Sequence, residues 1–179
     1  MKKIVWTFGL ISGAIMAAFM FATLPFVNSI GDHSLLLGYT GIVAGFLAVY
    51  FGVRSYRDNV LGGSIGFGRA LSTGLLIAVI GSLCYVAAWE VMYFRFMPDF
   101  YAKYGQMAVA QARKDGKSEA EIAKTRASMD EMTRSAQNPA WVAATTFVEP
   151  FPVGLVIALV SAGILRRRKE SRDAVLATA

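Results

Sequence analysis

The chain has one cysteine and one histidine in 179 residues. A lone Cys84 excludes an intramolecular disulfide and a cysteine-based metal site. His33 stands between Asp32 and Ser34, and three neighbours in sequence cannot form a catalytic triad by adjacency, so it reads as a loop residue. No nucleophile-base pair or metal-ligand set stands out elsewhere, which makes an enzyme the weakest reading. Charge is scarce at 17% of residues. No apolar segment alternates with polar residues as a transmembrane β-strand would. The glycine-rich stretch "GVRSYRDNVLGGSIGFGRALSTG" lacks a Walker lysine-serine pair and follows no soluble strand, so nucleotide binding is unsupported.

Apolar residues are abundant, 55% of the chain, and they come in blocks. Four blocks reach the roughly 20 helical residues that span a hydrocarbon core. They are Ile4–Phe26, Leu35–Val53, Leu71–Phe94 and about Trp141–Leu165. Helices satisfy their own backbone in lipid. The expected fold class is therefore all-α: a polytopic four-transmembrane-helix bundle, one membrane domain over residues 1–179. The opening "MKK" and its apolar run resemble a signal peptide. That run exceeds the roughly 7–15 residues of such a core, and no small-residue cleavage pattern follows it. Each block also carries small residues at four-residue spacing: Gly9, Gly13 and Ala17; Gly41 and Gly45; Gly74, Ala78 and Ser82; Gly154, Ala158 and Ala162. Such rows allow close backbone approach in lipid and serve a compact bundle or dimerisation equally.

The net charge of +6 does not read as a nucleic-acid surface, because the basic residues flank the blocks. Lys2, Lys3, Arg54, Arg57, Arg69 and Arg166 to Lys169 all fall on one side if the N-terminus is cytoplasmic. This gives a multi-pass membrane protein with both termini in the cytoplasm. The loop Val27–Ser34 has no Lys or Arg and lies outside. The charged segment between the third and fourth blocks lies outside too. Pro98 to Gly116 reads as one helix with Phe100, Tyr104, Met107 and Gln111 on a face. Ser118 and Glu121, at capping-box spacing, open a second with Ile122, Met129 and Met132 as its apolar stripe. Together they predict an extracytoplasmic helical hairpin over about 97–136.

Two acids, Glu90 and Glu149, lie in the outer half of their blocks. A carboxylate in lipid usually faces the bundle interior, a partner or water, and two at similar depth can share a proton or a cation. Candidate partners are Arg95, one turn beyond Glu90, and Thr145 or Thr146, one turn before Glu149. In the plainer reading Glu90 joins an interfacial belt with Trp89 and Tyr93 and pairs with Arg95. Glu149 precedes Pro150 and Pro152, which leaves two readings open. It starts a helix with Pro150 at the first position and the carboxylate favoured by the dipole, or it sits in a broken helix whose freed carbonyls bind a cation. Tyr85 and Trp141 read as belt or core. In the glycine-rich loop, Arg54, Arg57 and Arg69 are placed to meet lipid phosphates at about 1 kcal/mol each, with Ile65 and Phe67 dipping into the membrane edge. Positive-inside anchoring explains the arginines almost as well.

The stretches "FGVRSYRDNVLGGSIGFGRALSTGLL", "PDFYAKY" and "NPAWVAATTFVEPFPVGLVIALVSAGILRRR" together resemble the domain of unknown function 4199 family, over nearly the whole chain. The resemblance implies a four-pass bacterial inner-membrane protein and brings no assigned reaction, substrate or cofactor. The positions that match its motifs are Arg54, Tyr56, Arg57, Asp58, Gly62, Gly63, Phe67, Gly68, Glu149, Pro150 and Pro152. Two function classes follow. One is a structural or interaction protein that contacts membrane lipids or a membrane-protein partner, or forms a homo-oligomer. The other is a small proton- or cation-coupled transporter using Glu90 and Glu149. No cofactor and no nucleic acid is expected.

Overall fold

A computed structural model describes residues 1–23 and 34–166. The expected outer loop with Asp32 and His33, and the basic tail from Arg167 onward, lie outside the described residues. Seven helices are described: α1 (Lys2–Thr23), α2 (Ser34–Asn59), α3 (Phe67–Phe96), α4 (Phe100–Lys114), α5 (Glu119–Ser135), α6 (Pro139–Val148) and α7 (Pro150–Leu165). Among the described residues there is no strand. Four stretches are long and apolar enough to cross a membrane: Lys2–Thr23, Leu36–Asn59, Phe67–Phe96 and Pro139–Leu165. The second passes Val53 because the polar residues that follow it continue the helix. It closes where Gly62 and Gly63 adopt φ of 67° and 89°, and the Gly63 N–H donates to the Arg57 carbonyl at 2.9 Å. Left-handed backbone is what glycine tolerates and side chains resist.

The chain forms two compact units, Met1–Tyr85 with Glu149–Ala179, and Val86–Val148. In the first, the small-residue rows are packing seams within the chain. A methyl group at Gly9 would lie 2.6 Å from Ile80, and one at Gly13 would collide with Cys84, so α1 closes on α3. At Gly45 it would meet Met16 at 2.5 Å and the Ser12 carbonyl at 2.9 Å, which closes α2 on α1. At Gly154 it would meet Ala78 and Phe46, both at 2.9 Å, so α7 seats on α3 and α2. Among helices in lipid such close backbone approach carries much of the association. Val53, Tyr56, Ile65, Ala70, Ala162 and Leu165 form a cluster at one end, with Ile4 packed on it. The ends of α2 and α7 and the starts of α1 and α3 thus meet there, which gathers the basic residues at one end of this unit.

In the second unit α4 and α5 pack side by side, and a methyl group at Gly105 would lie 3.0 Å from Met129. The expected face of α4 is not the one that packs. Tyr104 and Met107 are exposed, whereas Gly105 and Ala112 are buried, because small residues let two helix backbones approach more closely than large ones. On α5, Ile122 is buried as its stripe predicts. The capping box forms: the Ser118 hydroxyl accepts from the Glu121 N–H at 3.4 Å, and its N–H donates to the Glu121 carboxylate at 3.0 Å. Tyr93, Ala136 and Val142 are the buried core, flanked by Trp89, Phe100, Tyr101 and Trp141. Their rings meet mostly edge to face, as Trp89 does with Phe100 at 5.0 Å between centroids, the arrangement aromatic quadrupoles prefer.

Candidate functional site

Glu149 stands between α6 and α7 with helical backbone angles, φ −71° and ψ −58°, and its carboxylate caps nothing. The side chain instead accepts a hydrogen bond from the Tyr85 hydroxyl, at 3.2 Å. Tyr85 is 9% exposed on α3. A buried tyrosine hydroxyl needs a partner, and a carboxylate inside an apolar span needs one more. Pro150 occupies the first turn of α7 and is fully buried, where its missing N–H leaves no donor unsatisfied. Pro152 is exposed. The Tyr85–Glu149 pair ties α3 to α7, and chemically it can hold or release one proton. The sequence marks Tyr85 only as belt or core, and no spacing rule points to a partner 64 residues away.

Thr145 is exposed, and its hydroxyl donates to the carbonyls of Trp141 and Val142 at 2.8 and 3.1 Å within its own helix. Glu90 and Arg95 belong to the second unit. Glu90 carries a buried carboxylate oxygen, Oε1, without a hydrogen-bond partner among the described residues. Arg95 is exposed and forms no ion pair with Glu90. In the first unit the hydroxyls of Ser12 and Ser82 are likewise buried without a partner among the described residues. Also among these residues, no group of three His, Cys, Asp or Glu side chains comes together to hold a metal.

The loop motif folds into an internal clasp. Arg57 donates through Nε and a terminal nitrogen to the two Asp58 oxygens at 2.6 and 3.1 Å. Its other terminal nitrogen reaches the Leu165 carbonyl at 3.5 Å, at the last turn of α7. A cation there meets the negative end of the helix dipole. Tyr56 lies beneath, 8% exposed, and Ile65 is 2% exposed in the same cluster. Ile65 thus turns inward rather than into a membrane edge, because the two left-handed glycines fold the loop back over the helix ends. Phe67 stays exposed at 41%, and Gly68 has open space around it. Arg69 is exposed on the first turn of α3. Arg54 is more than half exposed and makes one long ion pair, 3.6 Å to Asp58.

Outside the candidate spans, an open groove of about 510 Å³ runs along α4 and α5. Its lining includes Gly105, Gln106, Val109, Arg113, Arg126 and Asp130. Arg113 and Arg126 have no ion-pair partner among the described residues. At the start of α5, hydrogen bonds from the Ser118 hydroxyl and then its N–H hold the Glu121 carboxyl below its ordinary range.

Fold and site together define an all-helical protein with four helical stretches of membrane-crossing length and a partly buried Tyr85–Glu149 pair between α3 and α7. The chain belongs to the family described as "Protein of unknown function (DUF4199)", whose model matches residues 7–167. No curated protein and no solved structure matches it.

Proposed function

We propose that the protein is a structural or interaction protein of the bacterial inner membrane, with both termini cytoplasmic. It presents the α4–α5 hairpin on the outer side to a membrane-protein partner. One observation carries this reading: Arg57 of the loop motif and Glu149 of the Glu-Pro motif are both turned onto the protein itself. Arg57 binds Asp58 and the Leu165 carbonyl, and Glu149 binds Tyr85. The chemistry left free lies on surfaces, in the α4–α5 groove above all. A photoreactive residue in place of Gln106, in that groove, is expected to crosslink one specific membrane protein in living cells. Recovery of lipid adducts alone would count against the reading.

A second reading, a proton- or cation-coupled transporter using Glu90 and Glu149, is favoured by the orphaned Glu90 oxygen, since buried carboxylate oxygens rarely go without a partner. In that reading Glu90→Gln and Glu149→Gln each fold and abolish proton uptake into proteoliposomes, followed with a pH-sensitive dye. Uptake equal to the unsubstituted protein would remove it.

A further inference from the structure

Another groove lies between α1 and α2, at the end where the basic residues of the first unit gather. Its lining divides by chemistry. Phe8 and Phe51 are apolar and lie within the candidate spans. Arg54, Ser55, Asp58 and Asn59 follow on the last turns of α2. The groove measures about 450 Å³ and is open along its length. Next to it, a methyl group at Gly52 would lie 2.5 Å from Ile77 and 3.0 Å from the Phe8 side chain. Glycine at that position lets the Phe8 ring rest on α2.

The polar rim has a definite charge. Among the lining residues Arg54 and Asp58 carry opposite charges; Arg57, outside the lining, pairs with Asp58 at 2.6 Å, so the cluster of three keeps one net positive charge. Arg57 is committed to Asp58 and to the end of α7. Arg54, with a side chain 55% exposed and a 3.6 Å ion pair, keeps most of its donors unengaged. A guanidinium offers five N–H donors in a planar fork suited to phosphate oxygens. Beside it the Asn59 amide bonds the Ser55 hydroxyl at 3.1 Å, a further donor and acceptor on the same rim.

We propose that this groove binds a glycerophospholipid. An acyl chain lies along Phe8 and Phe51, and the phosphodiester is held by Arg54 with Asn59 and Ser55 alongside. An amphiphile with one negative charge at its head matches an apolar floor beside the Arg54–Asp58–Arg57 cluster, whose net charge is one. The Asp58 carboxylate beside Arg54 disfavours a second negative charge, so the fit is to a phosphodiester rather than a phosphomonoester. The inference rests on the reading of the chain as a membrane protein in contact with lipid. Its test involves α1 and α2 only, so its failure leaves the partner reading of α4–α5 standing.

The test is native mass spectrometry of the full chain in detergent, titrated with dioleoylphosphatidylglycerol, with dioleoylglycerol, and with glycerol 3-phosphate. Arg54→Gln is expected to lower phosphatidylglycerol occupancy about five-fold, the loss of one lipid-facing charge. Lys2→Gln, which removes a charge at the same end outside the groove, is expected to leave occupancy unchanged. Dioleoylglycerol is expected to bind weakly and without regard to Arg54. Phosphatidylglycerol occupancy unaffected by Arg54→Gln, or lowered as much by Lys2→Gln, would overturn the proposal. Glycerol 3-phosphate binding as tightly as the lipid would overturn it in favour of a soluble phosphate ligand.

Discussion

Removing the Tyr85 hydroxyl strands the Glu149 carboxylate in a span with no other charged side chain. Tyr85→Phe is expected to destabilise the protein by about 1–2 kcal/mol, read by reversible unfolding in mixed micelles. Glu149→Gln keeps an acceptor for the tyrosine and is expected to cost less. Equal losses would show that the hydrogen bond contributes little. A second test at this scale concerns Glu121, outside the candidate spans. Its carboxyl is held below its ordinary range by the Ser118 hydroxyl and N–H. A depressed native value means the stabilisation is complete above the ordinary carboxyl range and is lost as pH falls through the lowered value. Amide exchange in the first turn of α5, corrected for intrinsic rates, is therefore expected to quicken on acidification. Ser118→Ala should abolish that pH dependence; its persistence would point to another titrating group.

At the scale of elements the seams make opposite predictions for glycines of identical chemistry. Gly45 faces Met16 and the Ser12 backbone, while Gly163 has open space around it. Gly45→Ala is expected to cost about 1–3 kcal/mol through overpacking. Gly163→Ala is expected to gain about 0.5–1 kcal/mol by restricting the unfolded chain and favouring helix. Similar shifts for both would mean that α2 does not close on α1 as described. The rows of small residues were legible in sequence, and so were the four apolar spans, because run length and spacing are one-dimensional properties. Two further features were not. The end of α2 at Asn59 escaped because "RSYRDN" is polar, and hydropathy does not register polar residues that continue a helix. Ile65 was misplaced because its burial depends on a turn made by Gly62 and Gly63, which sends the loop back over the ends of α2 and α7. The Tyr85–Glu149 contact depends on how two helices rotate about their axes. The sequence placed Glu149 in an apolar span but could not say which residue it faces.

In the first unit, the described residues Lys2, Lys3, Arg54, Arg57, Arg69 and Arg166 collect where α2 and α7 end and α1 and α3 begin, the pattern expected of an end that faces the cytoplasm. The motif clasp at that end joins elements far apart in sequence, Arg57 to Leu165 across 108 positions. Arg57→Gln is expected to loosen α7 and lower the unfolding temperature more than Arg69→Gln does, since Arg69 is exposed on the first turn of α3. In the proposed orientation this basic end faces the cytoplasm while α4 and α5 face the outside. Labelling of single cysteines in a Cys84→Ala background tests it most directly. A membrane-impermeant maleimide applied to intact cells is expected to label Gln106→Cys on α4, and to label Gly66→Cys in the clasp loop only after permeabilisation. Labelling of Gly66→Cys in intact cells, with Gln106→Cys protected, would contradict the account.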